Sequence, residues 1–444
     1  MIVKVVNISP IMFKHMNCLL PFNNTHLSYH DIQHYDIIET ESEVKIMQVT
    51  KGIRLRLYPN QHQKEQLHQL FGNDRKVWNL MLAMANNRYQ NNPASHFVDR
   101  YAMDALLPRL KEEMPYLKES DSTSFQIVDR QLSYAFKRLF KHQGGHPRFH
   151  SRKSTKQSYT GKSKLKILAK RYIKIPKLGC IKSSKTGRLQ NVKVKEYTVC
   201  LMPSGHYVLS VVVQCEIQAL PKTGKVVGLD LGSADLIIPS DATSDEDKFK
   251  KFTAKALKAK ANLWQSRFSR RKYRATVSVR QFNHNHPELP QMELNDYSNW
   301  QRARQHKARL QEAIKNKRAG YLQRITTELV HKYDVIAIED LRAKNMMKNH
   351  NLAGSIANAS WRKVRDLLSY KCAWYGKQLV VVNPRNTSRV CHNCGRLQEQ
   401  FKGLSEHEWL AKRNWQCEAC GAKQDRDINA AKNILNRGLE KLNH

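Results

Sequence analysis

Two short cysteine motifs near the end of the chain constrain its fold more than any other feature. CHNCG places Cys391 and Cys394 on one turn, and CEACG places Cys417 and Cys420 on another. Each pattern brings two thiolates to one point, and Gly395 and Gly421 relieve the tight turn. Twenty-two residues separate Cys394 from Cys417, slightly beyond the usual spacing, which a longer hairpin would absorb. Four thiolates with no open position imply one tetrahedral Zn2+ in a structural role. Disulfides or free thiols are the alternative. The other cysteines, Cys18, Cys180, Cys200, Cys215 and Cys372, are scattered, so a reducing cytoplasm fits.

Upstream of the cysteines, from about residue 224, the pattern is α/β. KVVGLDLG and DVIAIEDL read as buried strands, with two basic helices between them at roughly 250–274 and 298–333. The stretch TVSVRQFNHNHPELPQMELNDY between those helices has no period and reads as a loop. SWRKVRDLLSYKCAWYGK is a helix ended by Gly376, QLVVVNP a further strand and DINAAKNILNRGLEKL a closing helix. Asp230 and Glu339 are carboxylates inside otherwise apolar strands, with no Lys or Arg on the same strand face. A buried lone carboxylate takes up a proton unless a cation or hydrogen bonds compensate. Taken singly, Asp230 is a turn former, Glu339 with Asp340 a strand-ending acidic pair, and Asp427 a helix N-cap. Taken together, an acid on an early strand, one on a later strand and one heading the closing helix form the arrangement of an RNase H-like nuclease. Three such carboxylates can hold two divalent ions roughly 4 Å apart, one activating water and one stabilising the leaving oxygen. All the ligands are hard oxygens, which favours Mg2+.

The charge points the same way. Lys and Arg number 76 against 38 acids, a net of +38 over 444 residues. A compact chain repels itself at that charge unless a polyanion neutralises it, and nucleic acid is the default polyanion. A basic surface kept for solubility is the plainer alternative. No segment approaches the roughly 18 apolar residues of a spanning helix, so no membrane partner is expected. MIVKVVNISPIMFKHMNCLLPF is broken by polar residues and is no secretory signal.

The N-terminal half divides further. Residues 1–46 carry three Lys against five acids, a net of −2, and read as a loose extension. Ile53, Leu55 and Leu57 alternate with Arg54 and Arg56 as an edge-type strand closed by Pro59. Leu67 through Ala85 recur at helical spacing, with a break expected at Gly72-Asn73. A later helix around Leu132–Phe140 runs into HPRFHSRK, whose cations and aromatics are either a solvated face or a phosphate-tracking surface. Residues 160–220 read as β, with VKVKEYTVCLM and HYVLSVVVQ joined by Pro203-Ser204-Gly205. Val192 and Val194 alternate there with Lys193 and Lys195, so one face of a small barrel-like sheet is cationic.

GLDLG, AIEDL followed by NMMKN, the run from SWRKVRDLL to VCHNCG, and CEACGAKQDRDINAAKNIL together resemble the TnpB proteins, the OrfB family of insertion sequences related to type V CRISPR effectors. KGIRLRLYPNQHQKEQLHQLFG and GGHPRFHSRK are similar to its N-terminal half, so the resemblance covers about residues 48–440. The resemblance implies a RuvC nuclease domain over 223–387 and 424–444 with a zinc ribbon inserted at 388–423. It implies a wedge β-barrel over 47–60 and 150–222, with a helical recognition domain inserted at 61–149. Asp230, Glu339 and Asp427 then match the three RuvC carboxylates, and Asp425 carries no catalytic assignment. The implied activity is cleavage of double-stranded DNA paired to a guide RNA from the element's own end, in a prokaryotic cytoplasm at the nucleoid, with a separate transposase as possible partner. Residues 1–46 have no family counterpart, and the loop at 275–297 is longer than the family's connection. A strand-transfer transposase is the competing function, but such enzymes order their acids Asp, Asp, Glu, against Asp, Glu, Asp here. A non-catalytic nucleic-acid-binding regulator is the third.

Overall fold

Alternating apolar residues build the first sheet. The computed structural model describes residues 37–38, 46–94, 97–152, 157–162, 164–169, 171–184, 186–190, 192–232, 235–341, 360–404, 408–409 and 412–443. NMMKN and most of the 1–46 extension lie outside the described residues. The strands are β1 (Ile37–Ile38), β2 (Ile46–Tyr58), β3 (Gln157–Gly161), β4 (Lys166–Ala169), β5 (Tyr172–Ile175), β6 (Gly179–Ser183), β7 (Lys193–Leu201) and β8 (Tyr207–Gln218). They pair antiparallel in the order β3-β7-β8-β2-β6-β5-β4, with β1 also on β2. The strand expected at an edge, β2, is interior: it pairs with β8 from Ile46 to Leu57 and with β6 at its end. Its alternating arginines mark a solvent face and not a free edge. The Val-Lys alternation at 192–195 ends at a bulge between Val194 and Glu196, and Glu196 turns inward to an ion pair with Arg130 at 2.9 Å.

Three helices pack beside this sheet: α1 (Gln61–Asn91), α2 (Arg100–Glu113) and α3 (Ser122–Phe140). Leu67, Leu70 and Phe71 join the sheet core, while Val77, Met81 and Leu82 join a second core with Phe125, Leu132 and Phe136. The break expected at Gly72-Asn73 does not occur, and α1 runs straight through. Asn73 and Asp74 are buried there and bonded to Ser120 and Ser124. Tertiary partners thus satisfy polar side chains that would otherwise favour a turn.

The C-terminal half centres on β9 (Val226–Asp230), β10 (Asp235–Pro239), β11 (Phe249–Lys250), β12 (Val335–Glu339) and β13 (Gln378–Val382), in the order β11-β10-β9-β12-β13. β9, β12 and β13 are parallel, and β10 is antiparallel to β9. The helices are α4 (Lys255–Asn285), α5 (Ser298–Lys332), α6 (Trp361–Trp374) and α7 (Arg426–Asn443). Leu322, Ile325 and Leu329 of α5, with Val364, Leu367 and Leu368 of α6, cover the face presenting Val227, Leu229, Ile336 and Ile338. The opposite face, with Ala337, Val380 and Val382, receives Ile434 of α7. That contact is close enough to need glycine. A Cβ on Gly228 would lie 2.1 Å from the Ala431 carbonyl oxygen, and one on Gly438 2.6 Å from Ala337 Cβ. A short hairpin, β14 (Asn414–Gln416) with β15 (Lys423–Asp425), leads into α7.

The loop expected over 275–297 is shorter than its composition suggests, because α4 continues to Asn285. Ala275 is the one buried residue of α4 among those described, and an exposed helix needs no apolar stripe, so periodicity gave no signal. The remaining turn is held by Asn283, whose side chain bonds the Met292 backbone as donor (3.1 Å) and acceptor (2.8 Å). No described helix is long and apolar enough to cross a membrane.

Candidate metal and catalytic centres

Strand period and register bring two acids together. Side chains two apart on a strand share a face, so Asp230 lies on the side of Gly228, and Glu339 on the side of Ala337. Both sides face α7. Ile338 is opposite Leu229 in the parallel register, which sets Asp230 and Glu339 at adjacent places at the carboxyl ends of neighbouring strands. Asp427 enters from the first turn of α7. Asp425, not Asp427, caps that helix: its Oδ1 accepts from the Asp427 and Ile428 amides, both at 2.9 Å. The N-cap explanation of Asp427 therefore passes to its neighbour. Asp340 likewise parts from Glu339 and pairs with Arg365 of α6.

Electrostatics link the three acids. Burial pushes the Asp230 carboxyl well above the usual carboxylate range, and the charges of Glu339 and Asp427 push it further. Arg426 and the Leu231 amide pull it back in part. Burial also raises Glu339, against a hydrogen bond from Thr387 Oγ1 and the charge of Arg437. The cations absent from the strands come from α7. Arg426 lies on Asp427 at 2.8 Å. The donor set is all carboxylate, crowded and short of positive charge, which suits hard divalent cations. Among the described residues the three carboxylates do not gather as tightly as the four cysteine thiols.

Cys391, Cys394, Cys417 and Cys420 place their sulfurs within 4.8 Å of one another. Cys391–Cys420 and Cys394–Cys417 are separated by 3.8 and 3.6 Å, near the edge of about 3.8 Å for a tetrahedron of Zn–S bonds of about 2.3 Å. Each turn closes by an amide of the following glycine onto the first cysteine's carbonyl, Gly395 to Cys391 at 2.8 Å and Gly421 to Cys417 at 2.9 Å. Both glycines have positive φ, +73° and +70°. Burial opposes ionisation of Cys417, yet the Cys420 and Ala419 amides and the neighbouring thiols bring it down to about 6. These residues fit a structural Zn2+.

Several supporting residues carried no sequence signal. Gln398 and Gln424, both buried, donate to Cys417 and Cys391 sulfur at 3.3 and 3.6 Å. The two centres are joined by a polar chain. Thr387 holds Glu339, Asn433 of α7 holds the Thr387 and Val390 carbonyls at 2.7 Å, and Asn429 holds Val390 and the His392 amide. Asn429 and Asn433 lie one helical turn apart on the buried face of α7, which is the only pattern that could have marked them.

Three family models match in chain order. One described as “Helix-turn-helix domain” spans residues 47–93, the IS605 OrfB model described as “Probable transposase” spans 206–350, and “Cas12f1-like, TNB domain” spans 361–434. A Streptomyces pristinaespiralis protein named “Putative RNA-guided DNA endonuclease” is 29% identical over 404 residues, covering 89% of this chain and 90% of its own. Escherichia coli K12 “Putative RNA-guided DNA endonuclease InsQ” is 27% identical over 414 residues, covering 88% and 93%. The chain is similar to the IS605 OrfB family. In this chain the helix-turn-helix match falls on a strand and one unbroken helix, β2 and α1. Among solved structures, a Cas12f1–sgRNA–target DNA complex aligns over 88% of the chain and 99% of its own at 13% identity and a TM-score of 0.43.

Proposed function

We propose that this chain is a TnpB-family, RNA-guided DNA endonuclease of a transposable element that hydrolyses phosphodiester bonds with two divalent ions. The observation that carries the reading is that Glu339 and Asp427, from β12 and α7, both act on the buried Asp230 of β9, with Arg426 and Arg437 compensating only in part. Asp230, Glu339 and Asp427 would hold Mg2+, which when bound supplies activation of water and neutralisation of the leaving oxygen. Thr387 orients Glu339, and Arg426 fixes Asp427. In this reading the five-stranded sheet with α5, α6 and α7 is the RuvC unit and the four-cysteine loop its zinc ribbon. The eight-stranded sheet is the wedge, and α1–α3 are the recognition part. The net charge of +38 serves a channel for the guide and its DNA, since base pairing carries the sequence specificity.

The test is purified protein with its co-expressed RNA, Mg2+ and a plasmid library. Guide-dependent double-strand breaks are the expected result. Joined products would make it a strand-transfer transposase, and binding without cleavage a regulator.

A further inference from the structure

The run HPRFHSRK, open from sequence to two readings, is tied across α1. Trp78 Nε1 donates to the Arg148 carbonyl at 2.9 Å. Asn79 closes on the His150 backbone both ways, donating to its oxygen at 3.0 Å and accepting from its nitrogen at 2.7 Å. The His150 ring lies flat on the Trp78 indole, with centroids 4.3 Å apart and planes 7° from parallel. Trp78 is buried at 8% exposure, yet His150 remains exposed and Phe149 is 58% exposed. Partial desolvation against its neighbours and the charge of Arg75 lower His150 from the usual imidazole value, which favours the neutral ring. A flat neutral ring, backed by an indole and open outward, is a stacking platform and not a solvated basic face.

These rings border a cavity of 480 Å³ between α1, α3 and β3. Its other walls are mixed: Phe71, Ile127 and Val128 give an apolar side, while Asp74, Ser124, Gln131 and Thr160 give a polar one, with Arg75 beside them. Arg152 is near enough to act on the charge of Arg75. An aliphatic ligand would leave the polar wall unpaired, and a bare anion would leave the rings unused. A planar heterocycle carrying phosphate uses all of it. We propose that this cavity takes one unstacked nucleobase of the bound nucleic acid, with His150 as its stacking partner and Arg75 and Arg152 on the flanking phosphates. The inference rests on the nuclease reading above. RNA and DNA share this chemistry, and the experiment separates them.

The test uses the full-length chain and short labelled oligonucleotides of RNA and of DNA. His150→Ala weakens binding about tenfold or more to at least one of them, and His150→Phe restores it. The slope of log affinity against log salt stays unchanged in His150→Ala, because no charge is removed, whereas Arg75→Gln lowers it by about one. Loss confined to RNA assigns the base to the guide, and loss confined to DNA to the target. Affinity of His150→Ala equal to wild type on both overturns the proposal, as does loss that His150→Phe fails to restore. Should His150→Ala not fold, ultraviolet crosslinking of the wild-type protein with its copurified RNA and target DNA decides: adducts on 148–152 uphold it, and their absence overturns it. Wild-type protein that cuts guided targets while His150→Ala binds normally sinks only this inference. Wild-type protein that neither binds nor cuts sinks the nuclease reading itself.

Discussion

Asp230 is costly to keep ionised among Glu339 and Asp427. Its raised carboxyl means the folded state favours the neutral form, so charge at neutral pH weakens the fold unless a cation shares it. Asp230→Asn is therefore expected to raise the melting temperature of the metal-free protein, to remove the rise that Mg2+ gives wild type, and to abolish cutting with RNA binding near normal. Calorimetry with and without Mg2+ checks the first two; cleavage surviving in the variant would refute the assignment. Thr387→Val should lower cleavage about 10- to 100-fold and Thr387→Ser should restore most of it, read in single-turnover assays. The acids were legible because a carboxylate in an apolar strand needs an explanation. Thr387, Gln398 and Asn433 were not, because a threonine or amide gains meaning only from the atom it meets across the fold.

At the scale of elements, α7 and the cysteine loop act as one support. The chain from Glu339 through Thr387, Asn433 and Val390 ends beside Cys391. Cys417→Ser should release zinc, read by metal analysis, and lower cutting as well as local stability. Zinc content still near one per chain would refute the four-thiolate site. Gly228→Ala should destabilise the sheet by roughly 1–3 kcal/mol through overpacking, measured by denaturant unfolding, because the Ala431 carbonyl occupies the place of its Cβ. Strands with clear apolar runs, such as β9, β12 and β13, were readable from sequence. The continuity of α1 and the far end of α4 were not. Buried partners hold Asn73 and Asp74 in helix, and α4 is exposed almost all round.

Across the whole molecule, two buried acids far from the proposed cutting centre set a pH dependence. Burial pushes Asp129, beside Asp104, up to about 8, and Asp74 up to about 7. Both values exceed the ordinary 3.8, so the folded state holds protons that the unfolded chain releases. Their stabilising contribution is present at low pH and is lost as pH rises through about 7 to 8, by up to about 1.4 kcal/mol per pH unit for each group. The urea midpoint of the α1–α3 region should fall from about pH 4 to about pH 8 and level off above it, and Asp129→Asn should flatten the fall. Hydrogen exchange on those helices measures it.

The docking of α7 onto Gly228 also bears on biosynthesis. Two of the three acids are translated early, but the third arrives with the closing helix. Until that helix leaves the ribosome, the nascent polypeptide has a half-covered sheet and no complete acid cluster. On the proposed assignment, a product that stops short of residue 427 would lack the third acid and be unable to cut, so cutting would be confined to chains whose closing helix has been made.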